Sequence, residues 1–319
     1  MKRIQVQTPG LLTTVQDLGR EGFGPMGISP SGAADPIASR LGNRLVGNPE
    51  NAAALEMTLL GGEFLFPEGG IIALTGSDFG ATLNGAPDAC RAAGLWTSIE
   101  VGPGEILRCG PTLSGARCYL CVQGGIDVTP FLGSASTQLL SGLGGFNGRP
   151  LRKGDILETG ASSGVFQRRT VAPMILDRLA PRKTLRVTAG PQADWFPEPV
   201  RAAFFESAFR VTEEANRMGL RLERLGSGGP AVTASHAGQM ITEGVSLGAI
   251  QVPPGGQPII LFVEQQTTGG YPKIANVISA DLSSVGQLRP RDEIRFEVVS
   301  LETAVSILAE QELLLRQAV

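Results

Sequence analysis

Residues 264–276 read EQQTTGGYPKIAN, and they hold more hydrogen-bonding groups than a turn between two apolar runs requires. Gln266, Thr267 and Thr268 offer amide and hydroxyl groups, Gly269 and Gly270 make a backbone that a ligand can approach closely, and Tyr271 and Lys273 add a phenol and an ammonium. Such a set could converge into one polar site. Upstream, TEGVSLGAIQVPPGGQP places Glu243 and Gln251 around a glycine-proline turn, and ANRMGLRLE sets Asn216, Arg217 and Arg221 after the strand-like FRVT. The planar fork of Arg217 suits a carboxylate, although a plain surface arginine is the simpler alternative. Near the N-terminus, TPGLLTTVQDLGREGFGPMGISPSGAAD gathers Gln16, Asp17, Arg20, Ser31 and Asp35. It reads either as a strand and a surface loop that caps a helix, or as an anion or amide site made of backbone N–H groups and Arg20.

Other chemistries are poorly supplied. There is no GxxxxGK[ST] phosphate loop, and the loose GxGxxA of Gly226, Gly228 and Ala231 is interrupted by Pro230 and reads as a hairpin loop. The single histidine, His236, lies in SHAGQM with no GxSxG in the chain, which argues against a serine triad. It could still carry a proton, because it titrates near neutrality and stands close to Glu243 in sequence. Cys118 and Cys121 form a CxxC inside the apolar run ARCYLCVQ, where residues three apart on a strand point to opposite faces. With Cys90 and Cys109 they read as structural thiols, and no metal site is expected.

These groups must be held by strands. IQVQT, FLF, IIALTG, EILRC, RCYLCV, LRVTAG, PAVTA, AIQV, IILFVE and EIRFEVV are short, β-rich and bounded by turn formers. Three stretches predict helices: one from Asp35-Pro36 to Gly47, one after Asp194, and the C-terminal ETAVSILAEQELLLRQ. The mixed stretch QRRTVAPMILDRLAPRKT at 167–184 is the expected linker. The chain thus divides into domains at 1–175 and 183–319, both mostly β with few helices and closed or sandwich-like. A net charge of −3 without any Lys/Arg run argues against nucleic acid as a partner. No apolar window is long enough to span a membrane, the N-terminus lacks the apolar core of a signal peptide, and there is no Asn-x-Ser/Thr acceptor, so a cytoplasmic protein is expected.

Taken together and in order, GLLTTVQDLGR, SGAAD, NAAALEMTLLGG, ALTGSDFGATLNG, GGIDVTPFLGSAST, GPQADWF, NRMGLRL, TEGVSLGAIQVPP and QQTTGGYPKIA resemble the carboxyltransferase-type family of KipA and the 5-oxoprolinase C subunit, also found fused within urea carboxylase. The resemblance covers nearly the whole chain. It implies two β-barrel-like domains, the C-terminal one cyclophilin-like. It implies two partners as well, a KipI-like protein (the 5-oxoprolinase B subunit) and a third component (the 5-oxoprolinase A subunit). The activity implied is ATP-dependent opening of 5-oxoproline to glutamate by the complex, with ATP used somewhere in the complex and the isolated chain expected to be inactive. Two alternatives stay open: a carboxyltransferase subunit of a biotin-dependent urea-type carboxylase, and a KipA-like regulator that binds a KipI-like kinase inhibitor. No Met-Lys-Met carrier motif is present, so biotin would arrive on another protein. In the family's pattern an aspartate stands where this chain has Glu264, and small apolar residues stand at the positions of Cys118 and Cys121. On this reading Lys273, Glu243, Asp17 and Glu264 are the catalytic candidates. Gln266, Thr267, Thr268, Gly269, Gly270, Tyr271, Arg217, Asn216, Arg20 and Gln251 are the candidates for binding a small amide substrate.

Overall fold

The computed structural model describes residues 1–85, 90–161, 166–226, 229–235 and 240–319; His236 and Gly228 lie outside them. Two compact units are formed. One comprises Met1–Arg20, Ser31–Leu179 and Leu314–Val319, the other Glu21–Pro30 and Ala180–Leu313. The chain is mostly β, with five α-helices among the described residues.

In the first unit the strands are β1 (Arg3–Thr8), β2 (Leu12–Gln16), β3 (Ala54–Thr58), β4 (Glu63–Phe66), β5 (Gly70–Gly76), β6 (Thr82–Asn84), β7 (Cys90–Ala92), β8 (Ser98–Val101), β9 (Glu105–Arg108), β10 (Arg117–Val122), β11 (Ile126–Asp127) and β12 (Ile156–Thr159). They form a seven-stranded sheet in the order β11-β12-β1-β4-β9-β6-β7 and a five-stranded sheet in the order β2-β3-β10-β5-β8. Ile4, Val6, Phe64, Phe66, Leu107 and Leu157 of the larger sheet share one core with Val15, Leu55, Met57, Ile72 and Leu74 of the smaller. Strand β10 is buried along its whole length, and its alternation shows where each face goes. Cys118, Leu120 and Val122 join the core between the sheets, whereas Tyr119 and Cys121 point to the other side, against helix α1 (Pro36–Leu45). The two cysteines therefore lie in different cores, and burial raises the thiol pKa of both. No cluster of three or more metal-ligating side chains occurs among the described residues.

Helix α1 starts as its sequence predicts: the Asp35 carboxylate accepts from Ala38 N at 3.0 Å and Pro36 fills the first turn. Helix α2 (Pro173–Leu179) is a departure. It lies inside the stretch expected to be a linker, and Ile175, Leu176 and Leu179 pack on the same core as α1.

The long N-terminal loop is not a surface loop at its polar residues. Asp17 is buried, and its carboxylate accepts from Gly19 N (2.8 Å), Ser134 Oγ (2.6 Å), Ser136 Oγ (2.5 Å) and Ala135 N (2.7 Å). Arg20, also buried, donates to the carbonyls of Phe131 and Ser136 and lies 5.5 Å over the Phe131 ring. Together they pin the 131–137 loop to the end of β2.

In the second unit, β13 (Thr184–Ala189), β14 (Phe209–Val211), β15 (Gly219–Arg224), β16 (Glu243–Gly244), β17 (Ala249–Gln251), β18 (Ile259–Leu261), β19 (Thr268–Gly269), β20 (Lys273–Val277) and β21 (Glu293–Val298) follow. Seven of them close a barrel in the order β13-β20-β17-β18-β15-β14-β21, sealed by parallel pairing of β13 with β21. The pattern of β21, EIRFEV, shows the expected period of two, with Ile294 and Phe296 buried between exposed charges. Helix α3 (Glu198–Glu206) docks Phe204 against Phe209 and Phe296, ring centroids 5.0 and 5.1 Å away. The expected strand PAVTA is absent, since residues 231–234 carry no strand pairing. Helix α4 (Leu282–Gln287) is not among the helices expected from sequence, whereas α5 (Leu301–Gln317) occupies the C-terminal stretch where one is expected. No described helix is long and apolar enough to cross a membrane.

Replacing Asp17 by alanine strands four donors and is expected to cost on the order of 2–4 kcal/mol in denaturant unfolding. A metal chelator is expected to leave the same unfolding curve unchanged.

Candidate functional site

The glycine-rich stretch that raised the question of chemistry forms β19, a turn at Gly270 and Tyr271, and the start of β20. Strand β19 pairs with β16, which sets Glu243 opposite Gly269 and Gly244 opposite Thr268. Strand β20 pairs with β17, which sets Lys273 opposite Gln251 after a register shift at Ile250. Two short pairings thus bring Glu243, Gly269, Gln251 and Lys273 to one junction in the second unit.

At this junction Lys273 is 2% exposed and its Nζ lies 2.6 Å from Glu243 Oε1, whose side chain is 44% exposed. The two are a close ion pair, but the approach lies off the hydrogen-bond direction, so Nζ has no aligned acceptor. Gln192, from the turn after β13, ties both ends together. Its Nε2 donates to Glu243 Oε1 at 2.9 Å, and its Oε1 accepts from the Lys273 backbone N–H at 3.2 Å. The Lys273 ammonium, and after it the Gln192 amide, hold the Glu243 carboxyl below the ordinary glutamate range.

Behind this pair, Gln266 Nε2 donates to Gln251 Oε1 at 3.1 Å, and Gln265 Nε2 donates to Val245 O at 3.2 Å. The Nε2 of Gln251 and the Oε1 of Gln265 are buried with no hydrogen-bond partner. Gly269 is required here by close approach rather than by its backbone angle. A Cβ at that position would lie 2.5 Å from Gln251 Nε2 and 3.2 Å from Val245 Cγ1.

Of the residues singled out from sequence, Lys273, Glu243, Gln251, Gln266 and Gly269 come together at the junction; Thr267 and Thr268 lie beside it in the β19 segment, with Thr267 O accepting from Val245 N at 3.1 Å. Tyr271 is 42% exposed at the turn. Arg217 and Glu264 instead meet each other: both are buried, with Nε to Oε1 at 2.5 Å and Glu264 N donating to Arg217 O at 2.8 Å. Asn216 is a turn residue, its Oδ1 accepting from Met218 N at 2.8 Å. Asp17 and Arg20 belong to the other unit, where their polar atoms serve the 131–137 loop. An Asp17 carboxylate that already accepts four hydrogen bonds has little capacity left to take a proton from water. Sequence reasoning passes over Gln192 and Gln265. Gln192 lies in GPQADWF, where nothing in the local pattern separates a functional amide from a turn residue.

Residues 26–298 match the family described as carboxyltransferase domain, subdomain A and B. The chain is 37% identical to the 5-oxoprolinase C subunit of Escherichia coli (strain K12) over 311 residues, 97% of this chain and 95% of that protein. It is 36% identical to the 5-oxoprolinase C subunit of Haemophilus influenzae, covering 95% of this chain and 94% of that one. It also superposes on the crystal structure of the K. lactis urea amidolyase with a TM-score of 0.88 and 34% identity, over 98% of this chain and 20% of that larger one. Matched across most of its length by the family and by relatives of nearly its own extent, the chain belongs to the carboxyltransferase subdomain A and B family, alongside the C subunit of 5-oxoprolinase.

Proposed function

We propose that this chain is the C subunit of a 5-oxoprolinase, acting with other subunits to open the lactam of 5-oxoproline to glutamate. The observation that carries this reading is the 37% identity to the 5-oxoprolinase C subunit over 95% of that protein. The junction in the second unit supports it chemically. Opening an unstrained lactam needs donors and acceptors for the amide, a positive charge for oxygen or carboxylate, and a group to direct water. Gln266 supplies an amide partner, Lys273 the charge, and Glu243 a half-exposed carboxylate within reach of a water molecule.

On this reading ATP is consumed by the complex, whose other components are a KipI-like B subunit and the A subunit of the same enzyme, and its location is the cytoplasm. The likeness to urea amidolyase favours one second reading, a carboxyltransferase half-site in which biotin arrives on another protein.

Release of glutamate from 5-oxoproline, measured in mixtures of the three subunits with ATP, separates these readings. Turnover that disappears when this chain is omitted supports the proposal; undiminished turnover without it overturns the enzymatic role. Turnover of urea with a biotin carrier instead supports the second reading, and tight binding of a KipI-like partner with neither activity points to regulation. Lys273→Met and Gln266→Ala are expected to lower turnover at least tenfold, which corresponds to about 1.4 kcal/mol of lost transition-state stabilisation. Gly269→Ala displaces the Gln251 and Gln266 amides and is expected to lower turnover while costing no more than about 2 kcal/mol of stability. Because the folded-state pKa of Glu243 lies below its ordinary value of 4.5, its contribution to stability is present above that value and is lost as pH falls through the folded-state pKa. Melting temperatures of the wild type and Glu243→Gln should therefore differ near neutrality and converge in acid.

A further inference from the structure

Gln251 and Lys273 are direct partners across β17 and β20, so their side chains leave the same face with Cβ atoms about 5 Å apart. Both are almost wholly out of water, 1% and 2% exposed. Each ends in donors that the protein does not answer. Gln251 Oε1 is committed to Gln266, while its Nε2 has no acceptor. Lys273 carries three N–H bonds and has only the off-axis Glu243 oxygen beside it. A buried donor left unmet costs roughly 1–3 kcal/mol, and a charged one more. Two of them side by side are the complement of an anion with two oxygens.

The surroundings decide which anion. The junction holds one ammonium, the Glu243 carboxylate that neutralises it, and neutral amides from Gln192, Gln251 and Gln266. With Glu243 displaced, the ammonium answers the single charge of a carboxylate, whereas a phosphate monoester brings a charge of about −1.5 to −2 at neutral pH. The position is presently held by a carboxylate of the protein itself. Glu243 is 44% exposed on a strand of two residues whose partner strand also has only two. It covers Lys273 from the solvent side, and little pairing restrains it.

We propose that Lys273 Nζ and Gln251 Nε2 form a subsite for the carboxylate of a small amide substrate, plugged by Glu243 until that carboxylate displaces it. The identity of the substrate as 5-oxoproline rests on the 5-oxoprolinase reading; the carboxylate specificity does not. Gln192 is a positioning residue in this arrangement, holding the Lys273 backbone and the plug in register. On displacement Glu243 parts from the ammonium that keeps it ionised, and becomes a stronger base beside the bound amide.

Calorimetric titration of the full chain with three probes tests the subsite: 5-oxoproline, cyclopentanecarboxylic acid (a ring carboxylate without the lactam) and 2-pyrrolidinone (the lactam without the carboxylate). Glu243→Gln is expected to tighten both acids roughly tenfold by removing the competitor, with 2-pyrrolidinone unchanged. Lys273→Met is expected to weaken both acids roughly tenfold or more, and Gln251→Leu, which leaves the ammonium in place, provides the same test if the lysine variant does not fold. If Glu243→Gln weakens the acids, if 2-pyrrolidinone follows the same pattern as the acids, or if neither acid binds the wild type or Glu243→Gln, the proposal is overturned. If the acids behave as expected while no mixture of the three subunits opens 5-oxoproline, the subsite stands and the 5-oxoprolinase reading fails.

Discussion

A lysine held almost entirely out of water needs a negative charge beside it, because an unpaired buried ammonium is among the most costly arrangements a protein can adopt. The second unit is organised around this demand at Lys273. Glu243 reaches it from one short strand pair, Gln251 stands across from it in the barrel, and Gln192 fastens its backbone from the turn after β13. Gly269 has no side chain because the amides of Gln251 and Gln266 occupy the space a Cβ would need. A second buried pair, Arg217 with Glu264, repeats the principle nearby in sequence. There the glutamate makes a short contact to the guanidinium.

The polar networks of the first unit obey the same rule to a different end. Glu56, on β3, accepts from the Tyr119 hydroxyl at 2.7 Å and from Ala34 N at 2.8 Å, and Tyr119 in turn accepts from Asp35 N at 2.8 Å. With Asp17 and Arg20 this network fixes the loops around α1. Its carboxylates are surrounded by donors, whereas the junction of the second unit contains donors that still lack acceptors. The carboxylates also differ in access: Asp17 and Glu56 are buried, whereas Glu243 is half exposed.

Much of the architecture is legible in the residue pattern, because half-buried strands and capped helices write their geometry into neighbouring residues. The alternation in EIRFEV and the Asp35-Pro36 cap are of this kind. The opposed faces of Cys118 and Cys121 follow from strand periodicity alone. Helix α4 escapes because LSSVGQ has no apolar period; its residues are buried by what packs around them. Helix α2 escapes because prolines and charges flank a stretch whose apolar residues acquire meaning only against α1. The polar character of 264–276 marks out part of the site, but the pairing of Lys273 with Gln251 depends on a register shift that a single strand does not encode. For the same reason Asp17 looks reactive in sequence and is occupied in the fold.

The barrel is sealed by its first and last strands, β13 and β21, lying parallel. On a ribosome, β13 emerges with neither of its eventual neighbours made, and β21 is the last strand of the barrel to leave the exit tunnel. Until it does, the edge of β13 exposes a row of unpaired backbone groups open to any passing strand. The second unit is therefore a body whose closure waits for its last strand, and the nascent chain has reason to remain in the care of a chaperone until then.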